Sequence, residues 1–71
     1  MNFNLLYAIN KAFEQGKEIH LIDGEDEYGY KVVATYDEDF SAIFEIAKDM
    51  KKYPNAELFT FDGDFHEELK Y

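Results

Sequence analysis

A chain of 71 residues without a cysteine has to be held together by its core alone. No disulfide or thiolate-bound metal can staple it, and a reducing compartment, the cytoplasm, is its expected location. At this length folding removes only roughly 60% of the surface that the unfolded chain exposes. The chain offsets this with aromatic bulk, seven Phe and six Tyr, within a 46% hydrophobic composition. Each aromatic ring can bury a large area. The first fifteen residues carry Asn2, Asn4, Asn10, Lys11 and Glu14 and have no apolar run of the kind a secretory leader needs. No apolar run approaches the roughly 20 residues that cross a membrane. A single acidic α+β domain over residues 1–71 is expected.

Apolar periodicity sets out the elements. Residues 4–15 place Leu5, Leu6, Ala8, Ile9, Ala12 and Phe13 at helical spacing, with Asn2 or Asn4 to cap the start and Gly16 to follow the end. Residues 18–23 alternate, Ile19 and Leu21 on one side and Glu18, His20 and Ile22 on the other, which predicts a strand. Asp23-Gly24 begins a turn, and residues 28–36 form the return strand of a hairpin. Its Tyr28, Tyr30, Val32, Ala34 and Tyr36 make the more apolar face, with Gly29 a place for a bulge. Asp37, Glu38 and Asp39 are expected to open a second helix, because acids suit its first turn. Phe40, Ile43, Phe44, Ala47 and Met50 form its stripe, and Pro54 stops it. A third strand follows at residues 56–62, with Phe59 and Phe61 turned to the core. Asp64 and Glu67 have the spacing of a capping box, which predicts a short C-terminal helix.

The expected order is α-β-β-α-β plus that last helical turn. It forms two layers, with two helices on one face of a small three-stranded sheet. No internal repeat or low-complexity segment is visible. The helix-free face, with His20, Ile22, Lys31, Val33, Thr35, Leu58 and Thr60, is expected to be half wet.

Charge is the extreme quantity. Sixteen acidic residues face seven lysines, there is no arginine, and the net charge is −9. Nucleic acid and anionic membrane are excluded as direct ligands, since both need clustered cations. The acids gather in three groups: Asp23, Glu25, Asp26 and Glu27; Asp37, Glu38 and Asp39; Asp62, Asp64, Glu67 and Glu68. The topology predicts the second and third groups, with Glu18, at one end of the domain and the first group at the other. Carboxylates two apart on a strand recur at roughly 6.6 Å, a ladder that a cationic groove could accept.

Catalytic and metal chemistry find little to work with. Asp62-Gly63-Asp64 with Glu67 and Glu68 does not match the twelve-residue calcium loop. His20 and His66 sit on separate elements, and Ser41 falls within the expected helix. There is no nucleophile–base pair and no phosphate-cradling glycine loop. No catalytic residue, metal ligand or cofactor is expected.

In its length, charge, lack of cysteine and α+β layout, the whole chain resembles the small acidic proteins of phages and mobile elements that mimic DNA, such as many anti-CRISPR and anti-restriction proteins. The resemblance implies a non-enzymatic inhibitor that fills the basic groove of a nuclease or other nucleic-acid-binding protein. Charge reversal at Asp39 or Asp64 is then expected to abolish binding. The alternative is an interaction module, docking or homodimerising through the open sheet face around Ile22, Val33 and Leu58, or through an edge strand.

Overall fold

The computed structural model describes residues 2–71. In chain order the elements are α1 (Phe3–Glu14), β1 (Glu18–Asp26), β2 (Gly29–Tyr36), α2 (Ala42–Lys52), β3 (Glu57–Phe61) and β4 (His66–Glu68). The fold is α+β, with two helices and one antiparallel sheet of four strands in the order β2-β1-β3-β4. The fourth strand corrects the expected three-stranded sheet, and it replaces the expected C-terminal helix.

α1 forms as its sequence dictates. The Asn2 side chain accepts from the Leu5 N–H at 2.7 Å, which satisfies one free donor of the first turn. At the far end Gly16 takes a positive φ of 76°, which a glycine adopts without strain. That turn lets the Lys17 N–H reach the Ala12 carbonyl and the Gly16 N–H reach that of Phe13, closing the helix. Leu5, Ile9, Ala12 and Phe13 are buried.

The core lies between both helices and one face of the sheet. Residues directly opposite on antiparallel strands share a face. Leu21 faces Leu58 on one side and Ala34 on the other, and Ile19 faces Tyr36 and Thr60. Leu58, Tyr36, Ala42, Ile46 and Leu69 therefore join the α1 residues in one buried cluster. Phe59 and Phe61, expected in this core, pair with His20 and Glu18 on the opposite face. Size favoured the phenylalanines, but the register selects Leu58.

The hairpin carries two irregularities. Leu21 pairs with Ala34 and Ile22 with Val32, so Val33 is an extra residue in β2 and packs against the helix-side core. Ile22 to Glu25 is matched by Val32 to Tyr30, so β1 also bulges, at Asp23 and Gly24, where Gly24 has φ 76°. The expected Asp23-Gly24 turn is thus a bulge, and the strands run on to a tip at Glu27 and Tyr28. The bulge at Val33 splits the expected apolar face of β2. Ala34 and Tyr36 stay on the core side, while Tyr30 and Val32 turn to the other.

α2 starts at Ala42, later than expected. Asp39 heads a tight turn instead: its Oδ1 accepts from the Ser41 N–H and hydroxyl, and the Ala42 N–H donates to the Asp39 carbonyl. The buried stripe is centred on Ala42 and Ile46, with Ile43 and Met50 beside it, and this turns Phe40 and Phe44 out to solvent. Tyr36 links the layers, donating from its hydroxyl to Asp49 on α2 at 2.8 Å.

Candidate protein-docking surface

Strand direction gathers two of the acidic groups. β2 ends at Tyr36 opposite Ile19, and β3 ends at Phe61 opposite Glu18. Asp37, Glu38 and Asp39 therefore leave the sheet at the same end as Asp62 and Asp64, where β1 begins with Glu18. One strand separates the two exits, so they lie about 10 Å apart. Asp23, Glu25, Asp26 and Glu27 lie around the hairpin tip at the opposite end, where Asp26 accepts from the Tyr28 N–H. Glu67 and Glu68 depart from the expected group. They lie along β4 on opposite faces, Glu67 opposite Thr60 and Glu68 opposite Phe59.

The acidic end is made of turns, so the expected strand ladder of carboxylates does not apply to it. Asp62 Oδ1 accepts from the N–H groups of Asp64 and Phe65, each at 2.9 Å. Those two N–H groups, that of Phe65 foremost, hold the Asp62 carboxyl below its usual range, and Lys17 adds to the effect. Asp39 is occupied in the same way by Ser41. Asp37, Glu38 and Asp64 have no side-chain partner among the described residues. There the only contact within 4 Å between a basic side chain and a carboxylate joins His20 to Glu18, and no lysine is paired with a carboxylate.

Each acidic turn also carries a phenylalanine in water. Phe40 is 95% exposed and Phe65 is 75% exposed. The two segments are versions of one pentapeptide: Tyr36-Asp37-Glu38-Asp39-Phe40 and Phe61-Asp62-Gly63-Asp64-Phe65. Both follow the pattern aromatic-Asp-x-Asp-Phe, and both begin on the last residue of a strand. The repeat is shorter than any helix of the fold, and its two copies share a position relative to the strand ends.

The helix-free sheet face is largely self-covered. His20 is only 7% exposed and Ile22 is buried. The His20 ring stacks on Phe61, His66 sits against both, and Tyr30 reaches over Phe59 to His66. Val33 and Leu58, expected on this face with Ile22, belong to the helix side. The docking surface expected around those three residues therefore does not exist as a unit.

This face brings together residues expected to be separate. Glu18 Oε1 lies 2.8 Å from His20 Nε2, and His20 Nδ1 lies 2.7 Å from His66 Nε2. A carboxylate only accepts, so His20 Nε2 carries a proton, and the two rings share another between them. The chain can hold and relay a proton, but no serine, threonine or thiol ends it. Among the described residues no group of three His, Asp or Glu converges in the way a metal ion requires. The alternation of Glu18 and His20 signalled their shared face; His66 became legible only with β4.

Among the described residues no helix is long and apolar enough to cross a membrane. Compared with known proteins, the chain matches no family model, no curated protein and no solved structure.

Proposed function

We propose that this protein is a stoichiometric, non-enzymatic inhibitor that occupies the basic groove of a nucleic-acid-binding defence protein, in the manner of phage anti-CRISPR and anti-restriction proteins. One observation carries the reading: two acidic turns leave the sheet at one end, on either side of β1, and among the described residues their carboxylates form no ion pair with a lysine. Folding has no need of like charges gathered at one end of the domain. A groove lined with Lys and Arg, built for phosphates, is complementary to them and would be approached quickly and with strong salt dependence. Asp37, Glu38, Asp39, Asp62 and Asp64 are the contact residues of this proposal, acting in the cytoplasm of a host cell. Glu67, Glu68 and the hairpin tip lie outside the contact.

The experiment adds equimolar purified protein to an RNA-guided DNA nuclease and to a type I restriction endonuclease and follows DNA cleavage. Blocked cleavage by either enzyme, restored when Asp37 and Asp64 are changed to Lys, supports the proposal. These two carboxylates are the right ones to reverse, because Asp39 and Asp62 also hold their turns. Cleavage unchanged in both reactions would sink this class of target.

The homodimer alternative has less support. The open face is filled by its own aromatic and histidine side chains, and two chains of charge −9 repel.

A further inference from the structure

We infer that Phe40 and Phe65 are a pair of apolar anchors for a cationic protein surface that has apolar clefts beside its positive charges. The inference rests on the docking role proposed above and adds to it what the partner must offer besides charge.

Neither phenylalanine contributes to the core. Phe40 is 95% exposed and Phe65 is 75% exposed, whereas Leu5, Ile9, Ile19, Leu21, Ile46 and Leu58 fill the interior. Each occupies the last position of the same pentapeptide, four residues past the end of its strand. The two strands flank β1, so the anchors rise from neighbouring exits at one end of the domain. Phe44, in the first turn of α2, is also exposed. The turns are held by Asp39 and Asp62, so little conformational freedom is lost when the rings are seated.

The flanking carboxylates choose the occupant. An anionic lipid surface would repel turns that carry Asp37, Glu38, Asp39, Asp62 and Asp64 next to the two phenylalanines in sequence. A second copy of the chain would bring −9 against −9. A nucleic acid would meet phosphate with carboxylate. A cationic protein meets both features at once: its lysines and arginines face the acids, and apolar side chains between them receive the rings. Aromatic side chains centred in a polar surround are the usual form of energetic hot spots. The charges then govern the rate of encounter, and the rings govern residence.

Two synthetic peptides of about 20 residues serve as the probe. Both contain Lys and Leu in equal amounts. One places Leu at helical spacing to make an apolar stripe; the other is a scrambled isomer without a stripe. The intact protein should bind the striped peptide at least about tenfold more tightly than the scrambled one. Phe40→Ser with Phe65→Ser should erase that preference and leave the weaker, salt-sensitive binding of the scrambled peptide unchanged. Equal affinity for the two peptides, or a preference that survives in the double variant, overturns the anchors. Asp37→Lys with Asp64→Lys separates the two ideas. If that variant binds both peptides as the intact protein does, the acidic docking role fails while the anchors stand. If it loses both, the docking role holds and the stripe preference of the intact protein decides the anchors.

Discussion

His20 Nδ1 lies 2.7 Å from His66 Nε2, and this contact ties the short edge strand β4 to β1 across the intervening β3. Glu18 fixes the direction of the chain. Its carboxylate accepts from the His20 Nε2–H, which leaves His20 Nδ1 facing His66 Nε2. One proton fits between the rings. Were both rings fully protonated, two N–H groups would point at each other.

Acid should therefore loosen this face. Burial and the neighbouring His20 hold His66 below the usual histidine range. Such a group takes up more protons in the unfolded chain than in the folded one. Its contribution to stability is complete above about pH 6.5 and declines as the pH falls below that, levelling once the folded ring also protonates. Asp62, lowered by its N–H partners, acts in a separate window: its contribution is present above the ordinary carboxylate value of 3.8 and is lost as the pH falls through its lower folded value. Denaturant melts at about pH 7.5 and about pH 5 should show a stability loss that is smaller in His66→Phe, which keeps a ring against Phe61. Equal losses in the two proteins would mean that His66 does not titrate with folding.

The choice of sheet face is testable by substitution. Leu58 is buried opposite Leu21, and Ile46 is fully buried on α2. Leu58→Ala and Ile46→Ala should each lower stability by about 2–4 kcal/mol through lost burial and a residual cavity. Phe40→Ala and Phe44→Ala should change it by no more than about 0.5 kcal/mol. Urea denaturation of the four variants checks the ranking, and the reverse ranking would restore the phenylalanine stripe that periodicity alone suggests.

These positions also show how far the sequence is legible. α1 is readable end to end, because Asn2, the apolar spacing and Gly16 are local signals that tertiary structure does not override. The alternation of Ile19 and Leu21 likewise identifies the core face of β1. Which face of β3 is buried is not a local property. Phe59 and Phe61 outweigh Leu58 in size, and only pairing with Leu21 settles the matter. α2 is misleading for a related reason: Phe40 and Phe44 are the largest apolar residues at helical spacing, yet Asp39 spends the Ser41 N–H on a turn and delays the helix to Ala42. His66, Glu67 and Glu68 carry no strand propensity. They form β4 because β3 offers an open edge and Leu69 closes the core, its N–H bonded to the Leu58 carbonyl. The clustering of Asp37 to Asp39 with Asp62 and Asp64 was legible from strand directions. The displacement of Glu67 and Glu68 was not, since it depends on β4.

The link between the layers should fail in alkali. Burial, and then the hydrogen bond to Asp49, push the Tyr36 phenol well above the ordinary tyrosine range. The unfolded phenol ionises near pH 10 and the folded one resists, so its stabilising contribution is present below about pH 10 and is lost as the pH rises through the folded value. Tyr36→Phe should cost about 1 kcal/mol at neutral pH, where the hydrogen bond to a charged acceptor is lost. It should also weaken the dependence of stability on pH above about 10. Thermal melts of both proteins across that range test this, and parallel alkaline curves would exclude the Tyr36–Asp49 contact as their cause.

The central claim, that the acidic end docks onto a nucleic-acid-binding groove, is tested most directly by the salt dependence of binding. Calorimetric titration against the nuclease whose cleavage the protein blocks gives Kd at about 50 mM and about 200 mM salt. The account predicts that Kd rises at least about tenfold over this range, and that Asp37→Lys with Asp64→Lys weakens binding by more than about a hundredfold at the lower salt. A Kd that stays constant with salt and is unmoved by the two reversals would contradict it.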